Sequence, residues 1–310
     1  MKKNITNKIL MVRPISFAFN EQTAVNNHYQ KRDNKPVQEI QNKALIEFDN
    51  MVEKLKKVGI DVKVMQDTKE PHTPDSIFPN NWFSTHYSNT VVLYPMFAEN
   101  RRLERTDTIY DYFDKVDNLN VVDYSSLEKE NIFLEGTGAL VLDRKNKKAY
   151  CSLSERANEK LLDIFCEDAG YKKIAFHSYQ TVDGKRKPIY HTNVMMAMGE
   201  NYAILCADSI DDLKERENVI RELESDGKEI IYISEYQVEH FLGNTIELVN
   251  NENVNIFFMF LCPEDKTQEY LKVLARISRL IRKDRFIDNL LKAGSNKEII
   301  EIIRDEEING

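Results

Sequence analysis

The chain of 310 residues lacks most of the signatures by which a sequence declares its chemistry. No long basic run occurs, and 43 basic residues are spread among 51 acidic ones for a net charge of −8, so nucleic acid is not an expected partner. The longest apolar run, 256–262, is far short of the roughly 20 residues a bilayer-crossing helix needs, and the polar start at 1–8 leads straight into a strand, so neither a membrane segment nor an export signal is expected. The four cysteines (Cys151, Cys166, Cys206, Cys262) show no CxxC spacing and fall in or beside apolar stretches, which reads as reduced thiols in a cytoplasmic protein. Six scattered histidines with no HxxxH or Cys/His cluster give no metal site. Walker, GxGxxG and GxSxG motifs are missing, and Gly136-Thr-Gly138 is too short to cradle a phosphate, so no nucleotide or other cofactor is expected.

What the chain does have is a repeat. Phe78-Pro-Asn-Asn81, Phe133-Leu-Glu-Gly136, Tyr190-His-Thr-Asn193 and Phe241-Leu-Gly-Asn244 recur at intervals of roughly 50–60 residues. Each sits in similar surroundings, an amphipathic helix, a short β-branched strand, the marked strand and a third strand. The four modules read 36–58, 62–66, 76–86, 90–96; 101–115, 120–124, 132–144, 148–153; 154–170, 172–179, 189–199, 202–209; and 211–226, 228–234, 241–250, 253–261. A further strand, 8–14, precedes them. With 42% hydrophobic residues the chain can bury a sizeable core as one large domain or two ordinary ones.

The marked strands carry polar residues of different chemistry at one offset: Asn80, Asn81, Glu135, His191, Asn193 and Asn244. A carboxylate in an apolar strand costs several kcal/mol unless a partner meets it, so Glu135 demands one. If the modules surround an axis, these side chains converge into a site. His191 fits a hydrogen-bonded structural residue or a general acid/base, and the offset it shares with Glu135 favours the second. Asn193 and Asn244 can equally bond their own backbone. Asp75, in a loop constrained by Pro71, Pro74 and Pro79, is a turn former that can enter the same pocket. The Asn-, Gln- and Thr-rich segment 20–30 either solvates itself or organises a polar pocket.

After residue 261 the rhythm changes to helices: one opens at Asp265-Lys-Thr-Gln268, a second stops at Gly294, and the capping box Ser295-Asn-Lys-Glu298 opens a third. A fifth marked strand is due near residue 295 and is replaced by this helix break.

Residues 1–255 resemble the guanidino-group-modifying superfamily, the pentein propellers that include arginine deiminase, dimethylargininase and amidinotransferases, and within it the citrulline-utilisation and arginine-deiminase-related branch. The resemblance is carried by Met11-Val-Arg-Pro14 with Phe19-Asn20, Thr23-Ala24 and Asn26-Asn27, by Pro74-Asp-Ser-Ile-Phe-Pro-Asn-Asn-Trp-Phe-Ser-Thr-His86, by Phe133-Leu-Glu-Gly-Thr-Gly138 with Val141-Leu-Asp-Arg144, and by Tyr190-His-Thr-Asn193. It implies an α/β fold of pentein-propeller type with four modules evident and the fifth replaced by a helical tail. A scaffold over 1–261 would then be joined to a tail, 262–310, that resembles the C-terminal helices of a phosphotransferase-system enzyme IIA. By the same resemblance Glu135 and His191 belong to the catalytic set, and Asp75, Asn80 and Asn81 lie where substrate is held; Phe78, Asn20, Asn193 and Asn244 are further candidates for holding it. The family nucleophile is a cysteine in a GGGSxRC-like C-terminal segment. That segment is missing here, Cys262 is the one cysteine near its place, and turnover is expected to be impaired.

In the implied reaction a thiolate attacks a guanidino or ureido carbon and ammonia leaves, with the histidine moving protons. Asn80 and Asn81 carry both donors and acceptors and suit a neutral ureido compound such as citrulline better than arginine. The competing expectation is an inactive ligand-binding or regulatory protein whose tail covers the open sheet edge. Enzyme IIA-like phosphotransfer is disfavoured because no histidine follows His240.

Overall fold

Short β-branched runs alternating with amphipathic helices build one unit several times over. In the computed structural model, which describes residues 3–249 together with Asn289, Lys292, Glu298, Glu301 and Ile302, β1 (Lys8–Arg13) lies parallel to β2 (Asp61–Gln66) across the helix Val37–Lys57. β3 (Phe83–His86) turns back on β4 (Thr90–Leu93), which runs parallel to β5 (Asn120–Asp123). β6 (Leu140–Asp143), β7 (Lys148–Ser152) and β8 (Lys172–Phe176) repeat the pattern. After a hairpin of β9 (Tyr179–Val182) and β10 (Lys185–Pro188), it returns in β11 (Met196–Met198), β12 (Tyr202–Leu205) and β13 (Glu229–Tyr232). Antiparallel neighbours need only a tight turn, whereas parallel neighbours need a crossover, which the helices Glu159–Ala169 and Leu213–Ser225 supply for the last two sheets.

This pairing corrects the modules read from the sequence. Segment 62–66 pairs with β1, not with 83–86 and 90–93, which instead take their parallel partner from the following repeat, 120–123. The physical unit is therefore marked segment, strand, helix, strand. The expected helix 101–115 is two pieces, Glu99–Arg102 and Asp107–Phe113. The expected strand 241–250 is a turn at its start, and Leu248 makes only an isolated parallel bridge to Thr6. The β9–β10 hairpin was not expected. Its turn, Asp183-Gly184, has positive φ at both residues (50° and 73°), the geometry a two-residue hairpin demands.

Helix faces follow their apolar spacing. Glu159–Ala169 buries Leu161, Leu162, Phe165 and Cys166, and Leu213–Ser225 buries Val219 and Leu223. Asn158 and Asp212 cap their first turns, and Gly170 ends the first of these helices at φ +67°. Among the described residues the strands form five separate sheets, and no helix is long and apolar enough to cross a membrane. The chain divides into two compact units, Met1–Met259 and Phe260–Gly310. The segment 253–261, Cys262 and the rest of the expected tail helices lie outside the described residues; the five described tail positions are helical.

Candidate active site

The polar residues at the repeated offset do not lie in strands. Asn80, Asn81 and Asn193 lie in short helical turns that head strands, Pro79–Asn81 before β3 and Thr192–Val194 before β11, while Glu135 and His191 occupy the cap positions just ahead of Gly136–Ala139 (before β6) and Thr192–Val194, and Asn244 stands in a separate turn. Glycine lets these turns touch. Gly136 has φ +42°, and a Cβ there would penetrate the carbonyl oxygen of Asn80 and stand 2.8 Å from that of Asn81. A Cβ on Gly138 would meet the His191 ring at 2.7 Å and collide with Asn81 Nδ2. Gly243 presses in the same way on Val194 and Met195 of the third turn. Thr192 Oγ1 donates to the carbonyl of Ala139, and Thr137 Oγ1 donates to that of Asn80 at 3.3 Å. Segments far apart in sequence thus meet backbone to backbone.

Glu135, fully buried, stands at the centre. His191 Nε2 lies 2.7 Å from its Oε2, the Phe97 N–H donates to its Oε1 at 3.0 Å, and Arg156 Nη1 is 3.5 Å from Oε2. Burial alone pushes the Glu135 carboxyl up, but Arg156, the His191 hydrogen bond and Arg101 outweigh it and hold the group down at about 2. With a carboxylate accepting at Nε2, His191 carries its proton there and presents an unprotonated Nδ1 towards Gly138. Burial lowers the His191 pKa against the opposing pull of Glu135, which favours the neutral ring.

Arg156 and Arg101, which the sequence reading did not single out, frame this pair. Arg156 donates to the Thr23 carbonyl at 2.8 Å and to Asn26 Oδ1, and its guanidinium lies 4.6 Å from the centre of the Tyr190 ring. Arg101 donates to Asn81 Oδ1 at 2.6 Å and to the Phe78 carbonyl at 3.0 Å, and Glu104 holds its Nε at 2.7 Å. Burial works against the Arg101 charge, but Glu104 and Asp75 more than offset it. The one available signal was the acid itself, since a buried carboxylate requires buried cations.

Of the other predicted residues, Asp75 and Asn20 bond one another, and the Asp75 carbonyl accepts from Arg101 at 3.4 Å. Asp75 Oδ2 accepts from Asn20 Nδ2 at 2.7 Å and from Thr23 Oγ1 at 3.3 Å, and Asn20 exchanges hydrogen bonds with Asn100. Segment 20–30 therefore organises a polar cluster: Asn20 also caps the short helix Glu21–Ala24. Asn80 and Asn193 are half-buried, the Phe78 ring is exposed, and Asn244 is exposed in the turn that follows Phe241. Cys151, Cys166 and Cys206 are buried, and burial raises all three thiols, that of Cys166 to about 11. They are core residues. No group of three or more His, Cys, Asp or Glu that could hold a metal occurs among the described residues.

Acid should loosen this cluster. The lowered Glu135 pKa contributes stability above its ordinary 4.5 that is lost as pH falls towards about 2, and the lowered His191 pKa contributes stability that is lost as pH falls below 6.5. The urea midpoint is expected to fall between about pH 7 and pH 4, less steeply in His191→Asn. Equal slopes in parent and variant would refute the assignment.

Residues 13–284 match the family described as N,N dimethylarginine dimethylhydrolase, eukaryotic. No curated protein sequence matches. Among solved structures, the N-terminal domain of ArgZ, an arginine dihydrolase from the ornithine-ammonia cycle in cyanobacteria, is similar with a TM-score of 0.60 at 16% identity over 86% of this chain and 88% of that one; it is a cysteine-to-serine variant bound to substrate. DDAH from Pseudomonas aeruginosa, a cysteine-to-serine variant complexed with citrulline, gives 0.55 at 16% over 87% and 89%. AgrE in ternary complex with ornithine and NAD+ gives 0.61 at 17%, and this chain spans only 35% of it. At such identities the likeness is one of fold, and the mixed α/β architecture is shared.

Proposed function

The chain belongs to the N,N-dimethylarginine dimethylhydrolase family, and from that premise we propose that it binds a free amino acid bearing a ureido or guanidino group, citrulline by preference, as a hydrolase with impaired turnover. The repeats would stand around an axis in the propeller manner. The observation that carries the reading is the buried His191–Glu135 contact of 2.7 Å, which leaves Nδ1 as a base beside Asn81.

In this scheme Asp75, Asn80 and Asn81 hold the substrate and Glu135 keeps His191 oriented while stabilising positive charge on it. His191 takes the proton of a cysteine thiol at Nδ1, the thiolate adds to the ureido carbon, the C–N bond to the terminal nitrogen breaks, and His191 passes that proton to the nitrogen as ammonia departs. His191 then takes a proton from the water that cleaves the C–S bond. The buried Cys151, Cys166 and Cys206, with raised thiol pKa values, are unsuited to the first step, and Cys262 is the remaining cysteine of the sequence. The same burial favours a second reading, a ligand-binding protein that has lost catalysis.

Calorimetric titration of the full chain with citrulline and arginine, paired with an ammonia assay, tests these readings. The expected result is citrulline binding with slow ammonia release that disappears in Cys262→Ser and His191→Ala. Binding without release favours the second reading, arginine binding without citrulline overturns the ureido preference, and failure to bind either overturns the substrate class.

A further inference from the structure

The three strands headed by the turns of the site are also gathered at their far ends, by the segment that precedes β1. The Lys3 N–H donates to the Tyr87 hydroxyl at 2.8 Å just past β3, and that hydroxyl donates back to the Lys3 carbonyl at 3.0 Å. The next residue does more. Asn4 Nδ2 donates to Asp143 Oδ1 at 3.1 Å and to the Gly199 carbonyl at 3.2 Å, while its Oδ1 accepts from the Lys145 N–H at 3.1 Å. The Asn4 N–H donates to Glu200 Oε2 at 2.9 Å. An amide is the one short side chain that can donate and accept in this way at once. Asp143 is the last residue of β6 and Gly199 directly follows β11, so Asn4 joins the far ends of the two strands whose near ends carry Glu135 and His191.

β6 and β11 belong to different sheets, and among the described residues no backbone ladder holds one to the other. Two sheets joined only at the near ends, by His191 on Glu135 and by Thr192 on Ala139, are free to splay. A tie at the far end removes that freedom. Lys228, itself buried, supports the same junction: it donates to the Gly199 and Glu200 carbonyls at 2.9 and 2.7 Å, but it reaches Asp143 Oδ2 only at 3.5 Å. Asn4 holds both strand ends by hydrogen bonds. We infer that Asn4 is a positioning residue for the Glu135–His191 pair, clasping the far ends of β6 and β11 so that acid and imidazole keep their contact at the near ends. This deepens the proposed function, which gives the pair its role, and it is read on the unliganded protein, so that it stands or fails apart from the substrate class.

The readout is the Nε2 proton that His191 directs at Glu135, followed by NMR through its exchange with water in the full chain. A hydrogen bond of ordinary net strength corresponds to roughly 2- to 10-fold in an opening equilibrium, and Asn4→Ala removes every side-chain bond of the clasp, so its His191 proton is expected to exchange roughly tenfold faster or more. Phe113→Leu is the control. It thins the core against Phe83, in a cluster that includes no residue of β6 or β11, and is expected to lower the urea midpoint while leaving the exchange at the parent rate. An unchanged rate in Asn4→Ala overturns the clasp, and so does equal acceleration in both variants, which would show that the proton is exposed only by general unfolding. If Asn4→Ala does not fold, native-state exchange of the unaltered protein in rising urea decides. The Lys145 amide proton, which Asn4 Oδ1 accepts, and the His191 Nε2 proton are expected to be released by one common opening. Release of Lys145 at low urea with His191 still protected refutes the coupling.

Discussion

Glu135→Gln is expected to lower the free energy of unfolding by about 3–5 kcal/mol and to abolish ligand binding, because it removes the one negative charge between two buried basic groups. The loss falls unevenly on its partners. Arg156 keeps the Thr23 carbonyl and Asn26, but His191 loses the acceptor that fixes its tautomer, and the Phe97 N–H loses a charged acceptor for a neutral one. A neutral amide at this position can turn either end towards Nε2, so the Nδ1 lone pair is no longer guaranteed to face the site. Urea unfolding followed by circular dichroism measures the stability, and calorimetry the binding. An unchanged urea midpoint would mean that the carboxylate is as easily solvated as an exposed one, contrary to its complete burial.

The second large effect belongs to a methyl group. Gly136→Ala is expected to cost about 2–4 kcal/mol, combining left-handed backbone strain of roughly 1–2 kcal/mol with the clash against Asn80. The clash is with backbone carbonyls, which cannot rotate away as a side chain would. Gly170→Ala is the control. Its φ is +67°, nothing stands within 4 Å of the added methyl, and only the strain of about 1–2 kcal/mol remains. A thermal or urea comparison in which the two variants lose equal stability would show that the first turn can retreat from the second.

Much of this site was legible before any coordinates. The roughly fourfold recurrence of an aromatic followed by polar residues marked Asn81, Glu135 and His191 as members of one set, and the anomaly of an acid in an apolar run announced that Glu135 would have a partner. The pairing of strands was less legible, since 62–66 is equally apolar whether it joins β1 or β3. Periodicity identifies a strand but not its neighbour. Arg101 and Arg156 escaped notice because surface arginines are common, and nothing local distinguishes one whose guanidinium turns inward. The polar turns were read as strands for a related reason. Three or four helical residues are too few to show a period, and only Pro79 and the two glycines of 136–138 hinted that the backbone departs from extension there.

Glu135 and His191 are supplied by successive copies of one unit, and neither copy holds both. A duplicated segment that began with identical residues in each copy could acquire such chemistry only after the copies were free to drift apart, one keeping an acid, another an imidazole, others amides. Division of labour among repeated units, with glycine at several of the points where they press together, sets the acid of one copy against the imidazole of the next.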